Sequence, residues 1–248
     1  MLDSAALKKD FPIFERTIRD GQRLVYLDSG ATAQKPNAVI DAELNFYRTS
    51  NAAVHRGAHQ LAEEATENFE NARSIVAEFI GASSDQIVFT KSATESINLV
   101  AYALTEKIKP GDRIVVSEME HHANLIPWQQ LAKRTGAELA WFEVTPEGRL
   151  DLSKVDEVIA ANTAIIAITH QSNLLGTINP LEEIVRKAQN VGAEVLVDAC
   201  QSVPHMSVDV QKLGVDYLAF SGHKALGPTG VGVLWGKNLE ALPPFLFG

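Results

Sequence analysis

"AIIAITHQSNLLGTINPLEEIVRKAQNVGAEVLVDACQS", residues 164–202, holds two continuously apolar runs of strand length separated by a helix-patterned stretch. In "AIIAITH" (164–170) and "EVLVDA" (194–199) β-branched and apolar residues fill consecutive positions, the pattern of strands covered on both faces. The stretch between them has helical spacing over 180–191, with Pro180 as a start signal. The same alternation runs through the rest of the chain. "QIVFT" (86–90), "DRIVVSE" (112–118), "ELAWFEV" (138–144) and "YLAFS" (217–221) read as further strands, and 92–107, 122–135, 151–161 and 207–213 as helices. The expected fold is therefore α/β, a doubly wound and mostly parallel sheet with helices on both faces.

Residues 1–84 follow a different pattern and are expected to form an amino-terminal extension ending in one long helix. In "LAEEATENFENARSIVAEFIG" (61–81), Leu61, Ala65, Phe69, Ala72, Val76 and Phe79 recur at helical spacing, and Gly81 supplies the stop. Residues 85–248 are then the α/β core. A net charge of −9 argues against nucleic acid or an anionic membrane as a partner, while leaving room for a phosphorylated small molecule in a local pocket. Cys200 is the only cysteine, which excludes an internal disulfide and suits a reducing compartment. The amino terminus carries no apolar signal core and no run is long enough to span a bilayer, so a cytoplasmic protein is expected.

In open α/β sheets ligands bind beyond the carboxyl ends of the strands, and in this sequence those ends carry chemistry. After "QIVFT", Ser92 and Glu95 have capping-box spacing. A helix start there offers free N–H groups and a positive dipole end to phosphate, with the Thr94 hydroxyl beside them. "DRIVVSE" leads to His121 and His122, either of which could cap the next helix, stack on a flat ring or move protons. "AIIAITH" leads to Asn173, in a turn closed by Gly176 and Pro180. Asp198 ends an apolar strand, where a carboxylate must be hydrogen-bonded or charge-paired, and Gln201 reaches back toward it. "YLAFS" delivers Ser221, His223 and Lys224 within "FSGHKALGPTG" (220–230). An imine-forming lysine, a carboxylate for a pyridinium nitrogen, a stacking ring and a phosphate cup together meet the needs of pyridoxal 5'-phosphate. A metal-dependent hydrolase is a competing reading, since His55 and His59 have the i, i+4 spacing of a helical ligand pair. The glutamate of HExxH is missing, and Arg56 and Gly57 stand between them.

"YLDSGATAQKP" (26–36), "VHRGAH" (54–59), "ATESINLVA" (93–101), "EMEHHANLIPWQ" (118–129), "SNLLGTINP" (172–180), "VDACQSVPH" (197–205) and "SGHKALGPTGVG" (221–232) together resemble the SufS-type, group II cysteine desulfurases. These belong to the class V aminotransferase branch of fold-type I pyridoxal phosphate enzymes. The resemblance implies that Lys224 carries the cofactor and shuttles protons, that Asp198 holds the pyridine nitrogen and that Gln201 neighbours the phenolic oxygen. It further implies that His122 stacks on the ring, that Ala93, Thr94, Ser221 and His223 form the phosphate cup, and that Asn173 lies near the cofactor oxygen and substrate carboxylate. Enzymes of this kind take sulfur from L-cysteine, leaving L-alanine and an enzyme persulfide, and some act on selenocysteine or cysteine sulfinate. They are homodimers that feed iron–sulfur cluster assembly through a sulfur-acceptor protein.

Three departures from the family pattern stand out. The family's sulfur-accepting cysteine and its carboxylate-gripping arginine lie in a carboxyl-terminal part, and this sequence stops at "LPPFLFG". An amino-terminal part lacking the small domain is thus expected, with desulfurase turnover incomplete in this chain alone. Cys200 occupies a position where the family has a small residue and is expected to be a packed thiol, and Ala225 is smaller than the family's residue after the lysine. A non-catalytic protein keeping the fold for binding or assembly, and another class V aminotransferase or a selenocysteine lyase, are the alternative functions.

Overall fold

A computed structural model describes residues 3–247; Met1, Leu2 and Gly248, the outer limits of the two expected segments, lie outside them. The chain opens with α1 (Ser4–Leu7), the two-residue strands β1 (Thr17–Ile18) and β2 (Gln22–Arg23), α2 (Asn37–Asn45) and the long α3 (Gln60–Phe79). Strands and helices then alternate: β3 (Ile87–Thr90), α4 (Ala93–Ala103), β4 (Arg113–Ser117), α5 (Ile126–Thr135), β5 (Glu138–Phe142), α6 (Val155–Val158) and β6 (Thr163–Thr169). The run ends with α7 (Leu181–Val191), β7 (Glu194–Asp198), α8 (Ser202–His205), α9 (Val210–Leu213), β8 (Tyr217–Ser221) and β9 (Gly232–Gly236).

Strands β3 to β9 form one seven-stranded sheet in the order β3-β9-β8-β7-β6-β4-β5. The pairs from β8 to β5 are parallel, and β9 runs antiparallel between β8 and β3. Successive residues of one strand feed opposite cores. Ile166, Ile168, Val195 and Val197 face the layer that includes Ile184 and Ala188 of α7 and Ala77 of α3. Ile165, Ala167 and Leu196 face the layer built from Ile97 and Val100 of α4 and Trp128 and Leu131 of α5. Each fully buried branched side chain contributes about 1.5–3 kcal/mol of transfer free energy, so the apolar runs are stable only with helices on both sides.

Several elements differ from the sequence expectation. Strand β9 escaped notice because glycines at 227, 230, 232 and 236 make its surroundings read as loop. The helix expected over 151–161 is one turn, Val155–Val158, and the one expected over 207–213 is Val210–Leu213. In α3 the buried residues are Ala62, Ala65 and Ala77; of the expected apolar stripe Ala65 is buried, Val76 packs against the core and Phe69 meets Phe89 of β3, while Leu61 and Phe79 are exposed.

Gly232 ties the sheet to the helix that starts beside it. It pairs with Ser221 across β8 and β9, and a Cβ at this position would collide with the backbone of Ser92 at the start of α4. Gly232→Ala is therefore expected to cost about 1–3 kcal/mol or more by overpacking, read as a lower urea midpoint with an unchanged denaturant slope.

Candidate active site

The carboxyl ends of β4, β6, β7 and β8 and the amino terminus of α4 surround a cavity of about 610 Å³. Ala93, Thr94, Asn173, Asp198, Gln201, Ser221, His223 and Lys224 all line it. His122 does not. Of the adjacent histidines it is His121 that lines the cavity, and His122 opens onto a neighbouring hollow with Glu118, Val144 and Leu174. His121 has extended backbone and accepts the Ala123 N–H on its Nδ1, while His122 begins the 3-10 turn His122–Asn124. The neighbouring hollow is bordered by both histidines, so only His121 lines the two.

Backbone geometry builds the corner of the cavity at the start of α4. Ser92 is the N-cap of α4 and accepts the Glu95 N–H on Oγ at 3.3 Å, whereas the Glu95 carboxylate takes the Lys91 N–H instead of closing a capping box. Ser221 Oγ accepts the Ala93 N–H at 2.9 Å and keeps its own proton to donate. Thr94, exposed at the first turn, adds a hydroxyl at the positive end of an 11-residue helix.

Asp198 is 5% exposed, and Oδ1 accepts the Cys200 N–H at 3.0 Å. Among the described residues it has no cation within ion-pair distance, so this buried carboxylate presents unused acceptor capacity to the cavity. Cys200 lines the same wall, and burial together with the Asp198 charge pushes its thiol well above the ordinary range. That suits packing better than nucleophilic chemistry.

Lys224 ends the 3-10 turn Gly222–Lys224 that follows β8. The turn is closed by Ala225 and Gly227, whose N–H groups both reach the Gly222 carbonyl at 2.9 Å, with Leu226 held in the left-handed region at φ 62°. Gly227 is needed because a Cβ would lie 3.0 Å from that carbonyl oxygen. His223 Nδ1 meets the Thr32 hydroxyl at 3.1 Å, and burial, with the charges of Lys224 and Lys35, lowers its pKa.

The amino-terminal stretch forms a wall that sequence reasoning missed. Leu27, Asp28, Gly30 and Ala31 line the cavity, and Gln201 Nε2 donates to the Gly30 carbonyl at 2.8 Å. Thr169 and Gln171 were also missed; both sit at the end of β6, which was the only available signal. His55 and His59 stand on no common helix: His55 is left-handed and pairs with Glu70, and His59 caps α3. Among the described residues no group of three or more His, Cys, Asp or Glu could hold a metal ion. None of the described helices is long and apolar enough to cross a membrane.

Behind the cavity lies a buried carboxyl, Glu120. It accepts from Ser117 Oγ (2.6 Å), the Thr169 N–H (2.9 Å) and Asn124 Nδ2 (2.6 Å), and Asn124 in turn accepts from Trp128 Nε1 (3.0 Å). Burial drives its pKa from the ordinary 4.5 up to about 8, against the pull of these donors and with a further push from Asp198.

The chain is an α/β protein whose mostly parallel sheet presents a lysine and a buried carboxylate to one cavity at its carboxyl edge. Residues 25–248 match the family described as aminotransferase class-V, and the chain belongs to that family. It is 56% identical over its whole length to a probable cysteine desulfurase of Streptomyces coelicolor, covering 61% of that protein. It is 46% identical to a cysteine desulfurase of Haloferax volcanii, covering 62%. Among solved structures, the apo cysteine desulfurase of Thermococcus onnurineus NA1 superposes with a TM-score of 0.92 at 43% identity, over all of this chain and 61% of that one. The Escherichia coli cysteine desulfurase CsdA gives 0.90 at 40%, over all of this chain and 62% of that one. The chain thus spans about three-fifths of the length of these relatives.

Glu120 sets a pH dependence of stability. Because its folded-state pKa is raised, its contribution is complete below about 4.5 and is lost as pH climbs to about 8. Wild type should therefore lose stability relative to Glu120→Gln through that window, by up to about 1.4 kcal/mol per pH unit, in urea unfolding. Parallel pH profiles for the two proteins would show that Glu120 is already ionised in the fold.

Proposed function

We propose that this chain carries the cofactor site of a SufS-type cysteine desulfurase dependent on pyridoxal 5'-phosphate. The observation that carries the reading is that Lys224 and the unpaired, buried Asp198 face one cavity beneath the start of α4. The donor set fits the cofactor: a lysine amine for its aldehyde, a carboxylate for its ring nitrogen, and a helix start with hydroxyls for its phosphate. When bound, the cofactor supplies an electron-withdrawing ring that acidifies the α carbon of an amino acid.

The residues then have distinct tasks. Lys224 Nζ would hold the cofactor and would move the proton at the substrate's α carbon. Asp198 keeps the ring nitrogen protonated, since its remaining acceptor capacity is satisfied only by a donor. The Gln201 amide has one proton committed to Gly30 and one left for the phenolic oxygen. Thr94, the Ala93–Thr94 backbone, the Ser221 hydroxyl and His223 hold the phosphate, and Asn173 stands by the substrate carboxylate. His121, the histidine that lines the cavity, takes the stacking place that the family resemblance gave to His122.

The substrate in this reading is L-cysteine, or a related sulfur or selenium amino acid. The names of the relatives support it, as does a solved neighbour, SspA in complex with cysteine, at a TM-score of 0.82 and 31% identity. The same reading makes residues 85–248 the cofactor-binding core and 1–84 its extension. It takes the working protein to be a cytoplasmic homodimer passing sulfur to an acceptor protein for iron–sulfur cluster assembly. Visible absorption after incubation with pyridoxal phosphate, followed by borohydride reduction and peptide mass analysis, tests it. A new band and a reduced adduct on Lys224 are expected, with both lost in Lys224→Ala. An adduct retained in that variant, or none in the folded wild type, would overturn the assignment.

A further inference from the structure

The carbonyl oxygen of His223 is the acceptor immediately before Lys224, and it is crowded. The Ala33 N–H reaches it at 2.9 Å, Thr32 Oγ1 at 3.3 Å and Lys35 Nζ at 3.0 Å, while Lys35 also donates to the Ala33 carbonyl. All three donors come from one stretch of the amino-terminal wall, whose other clips are Gln201 on the Gly30 carbonyl, the Tyr26 hydroxyl on the Thr32 carbonyl at 2.7 Å and the Thr32 hydroxyl on His223 Nδ1 at 3.1 Å.

Lys35 is half-buried, and among the described residues no Asp or Glu lies within ion-pair distance of it. Burial lowers its pKa, and its protein acceptors are the main-chain carbonyls of Ala33 and His223. A charged donor on a neutral acceptor is a stronger bond than the amide and hydroxyl beside it. It acts on the one turn whose orientation decides where Lys224 points. We propose that Lys35 is a positioning residue: its ammonium, seated on the carbonyls of Ala33 and His223, holds the turn that presents Lys224 to the cavity. The inference rests on the reading of Lys224 as the cofactor-binding lysine.

The test compares wild type, Lys35→Met, which keeps the length and loses the donor, and Lys35→Arg, which keeps a charged donor. Without cofactor, amide hydrogen exchange at Ala33, Ala225 and Gly227 should quicken by about tenfold in Lys35→Met, with the amides of β6 and β7 unchanged and Lys35→Arg restoring most of the protection. With pyridoxal phosphate and borohydride, the ratio of label on Lys224 to label on the exposed Lys91 should fall by about tenfold in Lys35→Met and recover in Lys35→Arg. Unchanged exchange at the three amides overturns the proposal whatever the cofactor does. A rise spread through the whole sheet also overturns it, since Lys35 then serves only general stability. So does a local rise that leaves the Lys224 label ratio unaltered. A wild type that takes no label at Lys224 refutes the cofactor assignment instead, and exchange still decides the tether. If Lys35→Met does not fold, Lys35→Gln, which removes the charge and keeps a neutral donor, is read by the same two measurements with the same outcomes.

Discussion

Strands buried on both faces have no side on which to place a polar group, and that constraint organises the molecule. From Ile165 to Ile168 and from Val195 to Val197 every side chain is committed to one of two apolar layers. Chemistry therefore collects where the strands stop: Glu120 and His121 beyond β4, Thr169 and Asn173 around the end of β6, Asp198 and Gln201 at β7, and Ser221 to Lys224 at β8. The hydrogen bond from the Ala93 N–H to Ser221 Oγ joins this edge to the start of α4, and Gly232 keeps the approach close enough for it to form. A cavity at that edge is a consequence of layer packing before it is a device for catalysis.

The electrostatics of the edge are arranged in depth. Asp198 faces the cavity with no cation partner among the described residues, while Glu120 lies behind it, where burial favours its neutral form at neutral pH. Burial, with the charges of Lys224 and Lys35, lowers the proton affinity of His223, which favours the imidazole as a neutral hydrogen-bonding group.

The sheet was legible because each parallel strand is a short, continuously apolar run, and YLAFS matched its observed limits. The site was legible to the extent that it hangs from strand ends, which placed Asp198, Gln201, Ser221, His223 and Lys224 on one cavity. What stayed hidden depends on backbone geometry or on distant contacts. Which of His121 and His122 lines the cavity is set by the fold around them, which neighbouring identical residues cannot signal. Strand β9 is masked by the glycines that let it pass close to Ser92 and turn beside Lys224. The face of α3 is only partly what the spacing predicts: Phe69 and Val76 of the apolar stripe do meet the sheet and core, but Leu61 and Phe79 lie exposed and Ala77 takes a buried place instead. The wall at 27–35 has no periodicity at all, and Ala33 is its only buried apolar residue.

That wall also gives the cavity a history. Thr32 and His223 meet across 191 residues of chain, the longest closure at the site. Local strand–helix units can form from neighbours as they leave the ribosome, but the stretch at 28–35 has almost no core of its own and must wait for β8 and its turn to be made. The part of the cavity wall that is synthesised first therefore closes only against a turn synthesised near the end of the described chain.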